Sequence, residues 1–172
     1  MNLNYQSLIP EDLHPASKAW VYQCNRLLGV AEALLLEEKL NEFVANWESH
    51  GSAVKGYANL LFGQFVVFIA DDSNDRICGR AIDAVARFVQ ELNETFSVNF
   101  LDRQSLAFIV KDKVQVLPLQ QLNYAVENGF IQADTLYFNN LVTTKEQFLN
   151  EWLVPVKKSW LARRLPSLAT TA

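Results

Sequence analysis

The chain has 172 residues, 50% of them hydrophobic and 20% charged, a balance that excludes general disorder and suits a fold with a sizeable core. Its net charge of −4 is unevenly spread: residues 1–110 hold 8 Lys/Arg against 14 Asp/Glu, and residues 111–172 hold 7 against 5. The acidic main body argues against nucleic acid, and two cysteines with neither zinc-site nor Cys-x-x-Cys spacing argue against a disulfide scaffold.

The N-terminus lacks the basic start and apolar core of a signal peptide, and the longest apolar run is too short to cross a bilayer. These features predict a soluble cytoplasmic protein, with disorder limited to residues 1–17 and to the tail after 166.

In chain order, residues 19–24 (Ala-Trp-Val-Tyr-Gln-Cys) read as a first strand, being rich in aromatic and β-branched side chains. A helix is expected over 31–49, with Leu36, Leu40, Phe43 and Trp47 forming its apolar stripe and Gly51 its stop. Residues 53–61 predict a second strand. The third, 64–70, contains the unbroken apolar run Phe65-Val66-Val67-Phe68-Ile69-Ala70. A half-buried strand alternates, so a run without polar breaks predicts a strand covered on both faces. A second helix is expected over 79–95 on the stripe Ile82, Val85, Val89, Leu92 and Phe96, and a hairpin over 106–110 and 114–117.

The order β-α-β-β-α-β with one added strand is that of a ferredoxin-like α+β core, expected over 18–117. Residues 118–166 then predict a helical extension over the second sheet face, although a dimer partner could cover it instead. That extension comprises a helix at 119–128 ended by Gly129, a short strand at 135–138, and a helix starting at the capping-box spacing Thr143-x-x-Glu146. Phe148, Trp152, Val156 and Trp160 repeat every four residues, with Pro155 kinking or breaking the helix. Residues 167–172 are expected to be a flexible tail.

Motifs that carry chemistry are incomplete. Gly51 and Gly56 have the glycine spacing of a phosphate loop, but Tyr57-Ala58 stand where Lys and Ser or Thr are required. Asp71-x-Ser73-x-Asp75 starts like a calcium loop, but Arg76 and Ile82 replace its Gly and Glu, leaving a solvated turn. Phe65-Val66-Val67-Phe68, with Val21-Tyr22 and Asn25, resembles the stacking strands of an RRM, an alternative that would make the protein an RNA-binding module. The basic-Gly-aromatic-Gly start of that motif is replaced by Leu61-Phe62-Gly63-Gln64.

Three residues could form a thiol-based catalytic set. Cys78 precedes a helix N-terminus, which would lower its pKa; His50 and Asp83 are the candidate base and acid. His14 reads as a loop residue. Lys157, Lys158, Arg163 and Arg164 flank Trp160 where a helix dipole favours cations.

Several segments together resemble a family of small bacterial proteins, mostly from the Bacteroidota. They are Ala19-Trp20-Val21-Tyr22-Gln23, Trp47-Glu-Ser-His50-Gly51, Ile82-Asp83 with Phe88, Asn140-Leu141-Val142-Thr-Thr-Lys145, and Trp152…Pro155…Ser159-Trp160. The likeness spans about 18–166 and implies no particular activity. Some relatives carry an ABC-transporter ATPase label, which the missing phosphate loop does not support. Relatives often have Gly-Cys-Ser-Ile-Asp at the second helix start; here Gly79-Arg80-Ala81-Ile82-Asp83 stands there, with Cys78 ahead of the glycine. The C-terminal half also resembles the GYF-like peptide-binding pattern: a hairpin, a 119–128 helix, Gly129, then Asp134-Thr135-Leu136-Tyr137-Phe138, without the signature aromatic triplet. That likeness implies protein binding.

The expectation is therefore a non-enzymatic cytoplasmic protein that binds a protein partner, a ligand or a copy of itself, without cofactor or metal. Its expected surface is Trp47, Trp152 and Trp160 with the four C-terminal cations. The alternatives are a small thiol/His hydrolase using Cys78, His50 and Asp83, and the RRM-like RNA binder.

Overall fold

The computed structural model describes residues 1–165; the tail expected after 166 lies outside the described residues. The elements are β1 (Lys18–Gln23), α1 (Val30–Ala45), β2 (Glu48–Ser49), β3 (Ser52–Ala53), β4 (Lys55–Leu61), β5 (Phe65–Asp71) and α2 (Gly79–Phe96). There follow β6 (Ser105–Val110), β7 (Lys113–Pro118), α3 (Leu122–Glu127), β8 (Leu136–Phe138), α4 (Lys145–Glu151), β9 (Leu153–Pro155) and α5 (Leu161–Arg164). The fold is α+β. The chain forms a larger unit, residues 2–102 with 140–149, and a smaller one, residues 103–139 with the chain from 150 on. This division differs from the boundary expected near 117.

The larger unit is built on an antiparallel three-stranded sheet of order β1-β5-β4. All six residues from Phe65 to Ala70 have no exposure. On one side Val66, Phe68 and Ala70 pack with Leu36 and Leu40 of α1 and with Val85, Val89 and Leu92 of α2. Phe43 and Phe88 stack at 4.6 Å beside Phe68. On the other side, Phe62 meets Phe65 edge-on, Tyr5 meets Phe62, and Phe148 meets Tyr5. The central strand is thus enclosed on both faces, as its unbroken apolar composition predicts.

The segment 1–17, expected to be disordered, is tied into this unit. Tyr5, Ile9 and Leu13 are buried, and the Tyr5 hydroxyl donates to the Phe148 carbonyl at 2.8 Å. Lys145 is buried, and its ammonium donates to the carbonyls of Pro10, Glu11 and Leu13 at 2.8, 3.2 and 2.6 Å. A buried cation requires such acceptors, and here the chain's own backbone provides them.

Helix α1 ends at Ala45 rather than 49. The Asn46 side chain and backbone N–H both donate to the Glu42 carbonyl, which stops the helix. Trp47 then turns inward, where its indole N–H donates to the Ala81 carbonyl at 2.9 Å. The miniature β2–β3 hairpin turns through His50, at φ 53°, and Gly51.

The strand at 106–110 does not complete the expected ferredoxin-like sheet. It lies as β6 in the smaller unit, in a four-stranded antiparallel sheet of order β7-β6-β8-β9. Its side chains form a separate core, with Leu106, Phe108, Leu122, Ile131, Tyr137, Val156 and Leu161 all buried. The β6–β7 loop is the two-residue turn Lys111-Asp112, both left-handed at φ 50° and 59°, so β7 begins at Lys113 and not at 114 as expected.

The expected long C-terminal helix is also absent among the described residues. Helix α4 stops at Glu151 and the chain extends into β9, whose last residue is Pro155. Proline lacks the N–H a helix needs but is tolerated on a sheet edge, and β9 is an edge strand. The four-residue repeat was therefore no single helix face: Phe148 serves the larger unit, while Trp152 and Val156 serve the smaller. The start of α4 also shifts by one residue. Thr144 Oγ1 accepts the Gln147 N–H at 3.2 Å, while the Gln147 side chain accepts from Thr143 at 2.9 Å.

Candidate binding groove and thiol site

The smaller unit carries an open groove of about 650 Å³ between the β6–β7 hairpin and α3. Phe108, Val110, Gln115 and Leu117 line its hairpin side, and Tyr124, Ala125, Phe130 and Ile131 its helix side. Tyr124 and Phe130 are 64% and 62% exposed. Two open rings over an apolar concavity are a costly surface for a domain with no use for it.

Local sequence sets these rings in place. Tyr124 lies on the first full turn of α3, one position before the buried Ala125. The helix ends in a Schellman motif: the Gly129 N–H donates to Val126 at 3.0 Å and the Phe130 N–H to Ala125 at 2.9 Å. Gly129 has φ 73°, a conformation that favours glycine. That left-handed residue reverses the chain and leaves Phe130 exposed on the groove wall. Lys111 and Lys113 also line the groove, and no carboxylate does. Asp112 stands between them at the exposed turn. The smaller unit as a whole carries 7 Lys/Arg against 4 Asp/Glu, although the full chain is acidic.

The interaction surface expected from sequence is placed differently. Trp47 is 2% exposed and Trp152 fully buried, so neither reaches a partner. Trp160 is half-buried against the core of the smaller unit and donates its indole N–H to the Tyr137 hydroxyl at 3.1 Å. Burial pushes the Tyr137 phenol up, a shift the Trp160 hydrogen bond opposes. Lys157 pairs with Asp134 at 2.7 Å, while Lys158, Arg163 and Arg164 are exposed.

In the larger unit, Cys78 is the N-cap of the 18-residue α2. Its thiol is held down to about 7, first by the Ser49 hydroxyl, then by the Ala81 and His50 backbone N–H groups, with the His50 imidazole adding a smaller push. Ser49 Oγ accepts the Cys78 N–H at 2.9 Å, which fixes the hydroxyl beside the sulfur. Two of the three predicted catalytic residues thus come together. His50 reaches the sulfur through its backbone N–H, and Asp83 is exposed on α2 and joins neither by a hydrogen bond or ion pair, so no triad forms. Sequence does not mark Ser49 and the Ala81 N–H as partners, because the helix expected over 31–49 includes Ser49, which the structure delivers from the β2–β3 hairpin. Cys24 contrasts: it is fully buried, and burial pushes its thiol up.

The other motifs resolve into local structure. Phe65 to Phe68 have no exposed face on which a base could stack. Asp71 accepts the Ser73 N–H and hydroxyl at 3.1 and 2.6 Å in a polar turn, and also the His14 N–H at 3.2 Å. Among the described residues no cluster of three or more His, Cys, Asp or Glu could hold a metal ion. No helix among them is long and apolar enough to cross a membrane. A second exposed apolar stripe runs along the start of α1 through Val30 and Leu34, next to Leu27. Comparison with protein-family models, with curated proteins and with solved structures gives no match.

Proposed function

We propose that this chain is a non-enzymatic binding protein whose smaller unit captures a short segment of another protein in the groove beneath Tyr124 and Phe130. The observation that carries this reading is the pair of exposed rings flanking an apolar concavity, which is the chemistry of a protein-binding hot spot. The GYF-like order of elements over 106–138 supports the same reading. The larger unit is then a scaffold, and its sheet order β1-β5-β4, with α1 and α2 packed on one side, supports reading that layer as ferredoxin-like. Free Cys24 and Cys78 are consistent with a reducing cytoplasm, and the segment matches favour the Bacteroidota family.

The test is a displayed library of random twelve-residue peptides selected against the full chain, with recovered peptides titrated against wild type and Tyr124→Ala/Phe130→Ala. Binding should fall by more than about tenfold in the variant, since buried aromatic anchors are worth at least ~1.4 kcal/mol. Recovery of no binder, or of binders indifferent to both rings, removes the proposal.

A second reading rests on the Cys78 thiol, half ionised near neutral pH beside His50. It predicts alkylation by iodoacetamide with a half-maximal rate near pH 7 at Cys78 and none at the buried Cys24 in the folded protein. Ser49→Ala should move the Cys78 profile to higher pH. A Cys78 profile already centred at the ordinary thiol value of 9.0 excludes it.

A further inference from the structure

The groove reaches a sheet edge. In the hairpin, Phe108, Val110, Lys113, Gln115 and Leu117 share one face, because Phe108 pairs with Gln115 and Val110 with Lys113. Val116 projects to the opposite face, yet it too lines the groove. The lining thus includes consecutive residues of β7, Gln115 to Leu117, and β7 is a terminal strand of its sheet.

The turn determines which backbone groups face outward there. A two-residue loop is closed by a hydrogen-bonded pair, here Val110 and Lys113, and such pairs alternate along the ladder. Lys113, Gln115 and Leu117 consequently turn their N–H and C=O toward β6. Val114 and Val116 turn theirs away from it, and among the described residues no strand pairs with them. Beyond them, Pro118 has no N–H to offer.

We propose that the occupant of the groove is an extended acidic segment of a partner protein that adds to β7 as a further strand. This inference rests on the groove being a protein-binding site and specifies how it is filled. The segment's backbone pairs with Val114 and Val116. Alternate side chains then drop over Tyr124 and Phe130, and its carboxylates meet Lys111 and Lys113, the charged residues of the lining. The excess of basic residues in the smaller unit favours the same sign of partner.

The experiment uses the peptides selected against the full chain. Strand addition predicts that N-methylation of every second peptide amide lowers affinity about tenfold while the intervening amides tolerate it, since alternate N–H groups make the pairing. Val116→Pro removes an outward N–H and should have the same effect, with an unchanged thermal melt as the check on folding. Lys111→Glu/Lys113→Glu should weaken binding about fivefold or more and flatten its salt dependence. Peptides that need both rings but show no alternation under N-methylation, or that lack acidic residues, leave the groove proposal standing and overturn this one. Loss of the groove reading itself shows separately, as peptides insensitive to Tyr124→Ala/Phe130→Ala. A gel shift with single-stranded RNA that depends on Lys111 and Lys113, or sedimentation showing self-association through β7, also overturns it.

Discussion

Gly56 is the glycine at which an added side chain would meet its neighbours most closely, and replacing it with alanine tests how rigidly that core is packed. Gly56 pairs with Ala70 across β4 and β5, and the indole of Trp47 lies directly over it. A Cβ added at Gly56 would sit 2.7 Å from Trp47 Cε3 and 2.8 Å from Cζ3, where ordinary carbon contacts are ~3.5–4.0 Å. The ring has little room to retreat. Its N–H is anchored on Ala81, Phe43 lies 5.2 Å away, and Trp20 and Phe68 close at 6.3 and 6.4 Å. Overpacking of this kind costs up to ~3 kcal/mol, against ~0.5–1 kcal/mol gained by replacing glycine in a strand. Gly56→Ala should therefore destabilise by about 2 kcal/mol, a fall in Tm of roughly 4–8 °C. Urea unfolding followed by tryptophan fluorescence gives the number, and a double-mutant cycle gives the cause. In a Trp47→Leu background the same alanine should be neutral or slightly stabilising. An alanine that is harmless in the wild type, or equally harmful without the indole, refutes the packing argument.

Asp71 gives a pH prediction in the same unit. Burial alone would raise its carboxyl, but the Ser73 hydroxyl and N–H, the His14 N–H and the Lys55 ammonium at 3.5 Å hold it at about 2, below the ordinary 3.8. A depressed acid stabilises the fold above its unfolded value and loses that contribution as pH falls from 3.8 through 2. Urea midpoints at pH 5 and pH 2.5 should differ less in Asp71→Asn than in wild type. Glu32, held at about 2 by the Arg26 guanidinium, supplies the residual slope, and an unchanged slope in the variant contradicts the assignment. Lys145→Met should cost about 2–4 kcal/mol, because three carbonyls lose a charged donor inside the protein. Amide exchange should quicken most over residues 5–13, and protection that stays as in wild type there argues against the ammonium as their anchor.

Elements whose signal is local were legible in sequence. The run 65–70 announced an enclosed strand, the stripe Val85, Val89, Leu92, Phe96 announced α2, and Gly129 announced the end of α3. What failed depended on long-range pairing. Nothing in Leu106 to Val110 says which sheet it joins, since any apolar strand satisfies the ferredoxin-like order. The spacing of Phe148, Trp152, Val156 and Trp160 fits a helix, yet Pro155 and the β8 edge made part of it a strand. Of the thiol site, the helix N-terminus beside Cys78 was readable and the Ser49 hydroxyl was not. Of the groove, Gly129 was readable, but exposed Tyr124 and Phe130 carry no mark in sequence that separates them from buried Trp47 and Trp152.

The larger unit is discontinuous along the chain, and this dictates an order of assembly on the ribosome. Its sheet and both long helices are synthesised by residue 102, but Phe148, Lys145 and the Thr143 carbonyl that accepts from Ala19 come only with residues 140–149. At ~5–20 residues per second the interval is on the order of seconds, far longer than hairpins and helices take to form. During that time the nascent sheet presents one apolar side without its final cover, and the carbonyls of residues 10–13 wait for their cation. A translational pause between 102 and 149 would prolong that exposure.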